Sequence, residues 1–351
     1  MFIERRKIVK PHKFNKCMFI TGMVLSLAVL LGCSSSKQSE ESMKLLAIAD
    51  DLFKQQQYEK ALNIYRQAAV ESEKEKNNSN LVEALSQTAR CFIATNKLQD
   101  GREWLDQAAQ KADRNEPKGW SRFLSVRGRL EWKEEAALKK EVAPEASQAA
   151  ATFQELYDYC LAYDFYERAI DAANMMSIVG RQEARIEWGL KGIDAAEKGK
   201  LESWLAPLWN NLGWNYEDMG DHGKALNALI KAREYHYKKD DEQAKLIADW
   251  SVGHAYRMAG NVDTAISIMT DVNNRAGKSY GKDSSSTNAE WLGFSCKELG
   301  ELAILQGNKK AAHVHFLEAK KLLEIARIAE WDAKGYQELN EKIDRLESEL
   351  K

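Results

Sequence analysis

Residues 209–232 read WNNLGWNYEDMGDHGKALNALIKA, and this stretch constrains the fold more than any other. Trp209, Leu212 and Tyr216 are spaced by three and four, which puts them on one face of a helix. Gly220-Asp221 interrupts the pattern as a turn, and Ala225, Leu229 and Ala232 resume it on a second helix. Gly213 and Ala225 are small, so the two antiparallel helices can approach closely where they cross. The same frame recurs in residues 250–272 through Gly253, Tyr256, Gly260 and Ala265. It recurs again in 296–319 through Gly300, Gly307, Ala312, Phe316 and Ala319. Upstream, residues 45–68 match through Ala49, Leu52, Tyr58, Ala61, Tyr65 and Ala68. Residues 85–108 match through Ala89, Phe92, Gly101, Leu105 and Ala108, and two weaker copies centre on Gly128 and Ala172.

The small residue of the first helix thus falls at 49, 89, 128, 172, 213, 253 and 300, in steps of 39 to 47 residues. One helix pair cannot bury its own apolar face, so such pairs must stack on their neighbours. The order W-x2-L-G-x2-Y, Gly-Asp, A-x3-L-x2-A resembles the tetratricopeptide repeat, with a longer period than that family's usual 34 residues. The resemblance implies an all-α, right-handed superhelical solenoid of about seven helix pairs over residues 44–327. The long steps point to loops at 276–288, AGKSYGKDSSSTN, and at 139–150, where Pro144 breaks the helix. In residues 328–351, Leu339, Ile343, Leu346 and Leu350 follow a 4-3-4 spacing on an otherwise charged helix. That helix is expected to cap the last pair; a short coiled coil with another chain is the alternative.

The N-terminus carries Arg5, Arg6, Lys7, Lys10, Lys13 and Lys16, followed by fourteen uncharged residues, 18–31. A membrane-spanning helix needs about 20 apolar residues, whereas a basic start and fourteen residues suit a cleavable signal. Leu30-Leu31-Gly32-Cys33 resembles the lipobox of bacterial lipoproteins. That resemblance implies removal of residues 1–32 and a diacylglycerol thioether with an N-acyl chain, such as palmitate, on Cys33. Ser34 is similar to the sorting signal for the outer membrane. Residues 33–43 then form a lipidated flexible tether, whose polar stretch 34–42 has a reach of roughly 15–18 Å. The whole chain has a formal charge of −2. The six basic residues and Glu4 leave with residues 1–32, taking the remainder to about −7, which argues against a nucleic-acid partner.

Catalytic and metal motifs are missing from the sequence. AGKS, residues 276–279, lacks the glycine at 272 that a phosphate-binding loop requires, because Val272 stands there. His313 and His315 are two apart and point to different sides of a helix, and His222 and His236 stand alone. Cys91, Cys160 and Cys296 have no metal-ligand or C-x-x-C spacing and read as buried free thiols. No catalytic residue, metal or cofactor is expected, and the chain reads as a non-enzyme.

What remains is surface. In tetratricopeptide proteins the first helix of each pair lines a concave groove that takes partner peptides. Carried onto this sequence, the groove positions are Arg90, Arg129, Trp132, Asn210, Asn211, Trp214, Glu217, Trp250, His254 and Arg257. Arginine and tryptophan dominate binding hot spots; for Trp214 and Trp250, groove and core are both open, and Trp209 is expected in the core. Asn211 is similar to the asparagine with which some members hold a peptide's carboxylate. Ile247 and Ser251 stand where those members place flanking lysine and arginine, so that clamp does not carry over. The expectation is a membrane-anchored, periplasm-facing scaffold or adaptor that binds a protein in assembling a cell-envelope complex. A peptide or small-ligand sensor using the same groove is the alternative.

Overall fold

The computed structural model describes residues 41–138, 147–179 and 182–351. Among them the chain is all helix, without a strand, and falls into two compact units, 41–201 and 202–351. The first unit holds α1 (Glu41–Lys54), α2 (Tyr58–Lys74), α3 (Asn78–Ala94), α4 (Leu98–Lys111), α5 (Pro117–Ala137), α6 (Gln148–Ala162), α7 (Tyr166–Val179) and α8 (Gln182–Lys198). The second holds α9 (Leu205–Asp218), α10 (His222–Tyr237), α11 (Glu242–Met258), α12 (Val262–Lys282), α13 (Ser286–Leu305), α14 (Lys309–Ile325) and α15 (Ala333–Leu350). Each odd-numbered helix from α1 to α13 carries one of the seven small residues and packs on the even-numbered helix that follows. No pair is divided between the units.

The close crossing within a pair is set by a small residue facing a large one sixteen positions later. A Cβ on Gly213 would lie 2.6 Å from Leu229, on Gly253 2.8 Å from Met269, and on Gly300 2.4 Å from Phe316. Gly128 stands in the same relation to Phe153, at 2.8 Å, across the longer α5–α6 connection. Phe316 is fully buried, so its ring has no free space to give. Gly300→Ala is therefore expected to cost about 1–3 kcal/mol by overpacking, read as a lower urea midpoint with unchanged slope. The turns between paired helices place Gly220, Gly260 and Gly307 at φ of 74 to 81°, and Gln56 and Asn96 take the same left-handed position in the first unit. Side-chain caps close the next helix: Asp221 accepts from the Lys224 N–H and Asn308 from the Ala311 N–H.

Three boundaries differ from the sequence reading. Residues 276–282 are not loop, because α12 runs to Lys282 and only 283–285 connect it to α13. The reason is visible in the pattern: Ala265, Met269, Val272 and Ala276 are all buried, and Tyr280 continues their 4-3-4 stripe onto the same core. Residues 148–150 also belong to a helix, α6, capped by the Ser147 hydroxyl. Glu41 to Met43 open α1 instead of ending a tether. Ser42 is held there by the Glu75 carboxylate through its N–H and hydroxyl, while its oxygen accepts from Asn80 at 2.8 Å. The signal, Cys33 and the rest of the tether lie outside the described residues, as does Pro144.

At the other end, Leu339, Ile343 and Leu346 of α15 are buried in one core with Phe316, Ala319, Leu322 and Leu323 of α14. Lys342 pairs with Glu301, and the Tyr336 hydroxyl donates to Glu324. The stripe that a coiled coil would have used is spent on the chain's own last pair, leaving Leu350 as its exposed member.

Candidate functional site

In residues 202–351 the first helices α9, α11 and α13 bring Glu217, His254, Arg257 and Glu298 together. The His254 ring lies between two carboxylates, Nε2 2.7 Å from Glu217 and Nδ1 2.9 Å from Glu298. Arg257 donates to the same Glu298, Nε at 2.7 Å and Nη2 at 3.3 Å. Burial works against charging His254, but the Glu298 charge and hydrogen bonds to both carboxylates outweigh it and raise its pKa to about 9. Burial likewise opposes ionisation of Glu298, yet His254 and Arg257 hold its pKa down at about 2. With an acceptor at each ring nitrogen, His254 is an imidazolium at neutral pH, both N–H groups donating. A histidine so committed cannot take a proton as a general base.

An aromatic wall backs this network. His254 stacks on Trp250, centroids 5.4 Å apart at 18°, and Trp214 lies 5.3 Å from the same ring. Trp250 also meets Trp291 at 5.8 Å and Phe294 at 5.9 Å, and Phe294 in turn meets Trp331 at 6.2 Å. Trp250 is buried and belongs to the core, whereas Trp214 is half-buried at its edge. Trp209, expected in the core, is also only half-buried: its ring takes Lys231 at 5.3 Å instead of closing over. Asn210 and Asn211 sit one turn ahead of Trp214, Asn211 exposed and Asn210 half-buried.

The first unit carries its own polar face on α1, α3, α5 and α7. Glu83 receives Arg122 at 3.2 Å, Lys118 at 3.1 Å and Arg168 at 2.7 Å. Burial penalises its charge, but Arg122 and then Arg168 more than compensate and lower its pKa. Asp171 pairs with Arg129 at 2.5 Å, and Arg129 also donates to the Ser125 carbonyl. Asp50 accepts from the Tyr65 hydroxyl and from Gln87 at 2.7 Å. Arg90 lies over the Phe53 ring at 4.6 Å. Trp132 is half-buried further along α5 with Lys133 over its ring, apart from these pairs.

Of the ten residues expected on the binding face, the structure gathers Trp214, Glu217, Trp250, His254 and Arg257 into one cluster, and places Arg90 and Arg129 in the other. Sequence reasoning missed Glu298, Glu83, Arg122 and Gln87. The signal was there: Glu83 and Arg122 stand six residues before the small residue of their helix, and Gln87 and Glu298 two before it. At 100° per residue these positions lie about 20° and 60° to one side of the one just after the small residue, which Arg90, Arg129, Trp214 and His254 occupy.

Cys91, Cys160 and Cys296 are free and buried. Burial pushes their thiols up, to about 12, 12 and 11, so they pack as small hydrophobes. Among the described residues no three His, Cys, Asp or Glu side chains are grouped to hold a metal ion. Among the same described residues no helix is long and apolar enough to cross a membrane.

No protein-family model and no curated protein sequence matches the chain. Solved structures do. The chain is similar to a Signal Transduction ATPase with Numerous Domains that has a tetratricopeptide repeat sensor, from Pyrococcus horikoshii. The identity is 13% and the TM-score 0.65, over 89% of this chain and 45% of that one, so this chain spans less than half of that protein. It is similar to BtubC from P. vanneervenii, at 15% identity and a TM-score of 0.49, over 71% of this chain and 93% of that one. A tetratricopeptide repeat protein from Parabacteroides merdae matches at 13% identity and a TM-score of 0.44, over 87% and 99%. The likeness to the first of these, at 13% identity, speaks for the fold alone: the chain folds as an all-α array of tetratricopeptide-type helix pairs.

Proposed function

We propose that this chain is a lipid-anchored interaction protein of the cell envelope, tethered through Cys33 to the outer membrane and facing the periplasm. Its first-helix faces hold a segment of a protein partner during assembly of an envelope complex, and it performs no catalysis itself. The observation that carries this reading is the concentration of tryptophan, arginine, histidine and carboxylate side chains on the first helices of both units. Of these, tryptophan and arginine are the residue types that dominate binding hot spots. The one cluster holding a histidine has its proton locked between two carboxylates, which suits a rigid binding wall better than acid–base chemistry. The anchor rests on the LLGC sequence and the basic, fourteen-residue apolar segment before it.

In-cell photocrosslinking tests the partner. Asn211 is exposed on α9, two residues before Gly213 and so in the same column as Glu298. Val314, 64% exposed on the second helix α14, is the control. A photoreactive residue at 211 is expected to capture a discrete protein adduct and one at 314 to capture none. Adducts only at 314, or at neither position, overturn the reading. In the same cells Cys33→Ala is expected to move the chain from the membrane to the soluble fraction; retention in the membrane removes the anchor.

A second reading, a peptide or small-ligand sensor using the same face, is favoured by the similarity to a protein whose tetratricopeptide repeats form a sensor. A defined peptide bound by the isolated chain, with no envelope adduct at 211, would select it.

A further inference from the structure

Cations and anions on the first-helix face of residues 41–201 do not balance. Five cations, Arg90, Lys118, Arg122, Arg129 and Arg168, share it with three carboxylates, Asp50, Glu83 and Asp171. Four of the cations are spoken for: Glu83 takes three and Asp171 takes Arg129. Arg90 is the exception. Among the described residues no carboxylate oxygen lies within 4.0 Å of it, and its one side-chain hydrogen bond is a long one, Nη1 to Gln87 Oε1 at 3.5 Å. The nearby acids are engaged elsewhere, Asp50 by Tyr65 and Gln87, Asp171 by Arg129 and Ser125. Arg90 as a whole residue is half-buried on this face and not sealed under a neighbouring helix pair. Desolvation, then repulsion from Arg129, lowers its pKa to about 10, and that disfavour is relieved by an incoming anion.

We infer that Arg90 is the subsite for a carboxylate side chain, Asp or Glu, of the peptide that lies along this face. The inference rests on the interaction reading above and adds to it what the partner must present. The planar guanidinium, held over the Phe53 ring, offers its free N–H groups to a carboxylate in bidentate fashion. Arg129, although paired, adds its field from one helix further on. The excess of two positive charges stands out in a chain whose net charge is negative. An acidic side chain therefore gains here, and a basic one is repelled.

The test uses the full chain in detergent and two fluorescent nonapeptide pools, random except for a central Glu in one and a central Gln in the other. Anisotropy is expected to show the Glu pool binding about tenfold tighter, the size of a charge-assisted bidentate contact. Arg90→Gln is expected to bring the ratio to about one, and Arg90→Lys to restore part of it. Without peptide, Arg90→Gln is expected to melt at or above the wild-type temperature, because it removes a charge that lacks a counter-charge. An unchanged ratio in Arg90→Gln overturns the inference. So does a lower melting temperature, which would make the guanidinium a packing element on Phe53. Equal binding of both pools to the wild type removes the subsite while leaving the interaction reading intact. Binding of neither pool overturns the subsite, and the crosslink at Asn211 then decides the interaction reading separately.

Discussion

Glu298→Ala is expected to destabilise the chain by about 3–5 kcal/mol, the range for removing one partner of a buried ion pair. The Glu298 side chain is 6% exposed, and its partners His254 and Arg257 are 13% and 16% exposed. Removing the carboxylate leaves an imidazolium with one acceptor where it had two, and a guanidinium with none in the cluster. The imidazolium is held against Trp250 and Trp214, which leaves it little water to replace the lost carboxylate. Glu298→Gln keeps an acceptor oxygen and is expected to cost less, because the hydrogen bonds survive in part while the charge is lost. Urea unfolding of both variants measures the difference. A cost below about 1 kcal/mol for the alanine variant would place the network among solvated surface pairs.

The helix pairs were legible because their cause is local. A small residue, an apolar one three or four positions away, and a turn residue between helices together specify a close antiparallel crossing. Gly213, Gly253 and Gly300 each face the large side chain sixteen positions on. The turns were legible where glycine marks them, at 220, 260 and 307. They were harder to read where Gln56 and Asn96 take the same left-handed conformation without that signature. What the pattern conceals is how far a helix continues past its repeat. The sequence 276–282 is rich in glycine, serine and lysine, yet Ala276 and Tyr280 keep it on the core, and burial overrides the weak helix propensity of Gly277 and Gly281.

The binding face was half legible for a different reason. Its residues are fixed in position by the repeat, so Trp214, His254 and Arg257 could be named from the frame alone. Which of them find partners depends on helices some 40 residues apart. Glu298 lies 44 residues from His254, and Arg168 lies 85 residues from Glu83. Nothing in the local pattern distinguishes Arg90, left without a carboxylate, from Arg129, which has one. That distinction comes from side-chain pairing between neighbouring pairs, and it separates a structural charge from one available to a ligand.

The same network makes a pH signature expected, with opposite signs on its two sides. His254 has a folded pKa of about 9 against 6.5 for the free group. Its contribution is therefore fully present below pH 6.5 and is lost as pH rises toward 9. Glu298 has a folded pKa of about 2 against 4.5, so its contribution is present above pH 4.5 and is lost as pH falls toward 2. The two shifts share one set of contacts and do not add. Each amounts to about 3–4 kcal/mol at about 1.4 kcal/mol per pH unit. His236 and His315 act the other way: burial lowers both, so their charging opposes folding as pH falls below 6.5. Total stability mixes these effects, and the informative quantity is the difference between wild type and His254→Gln. That difference is expected to shrink by about 3 kcal/mol between pH 6 and pH 9.5, because titrations elsewhere are common to both proteins and cancel. Urea unfolding at half-unit intervals measures it. A difference constant across this range would mean that His254 is neutral between its carboxylates, with one of them carrying the proton instead.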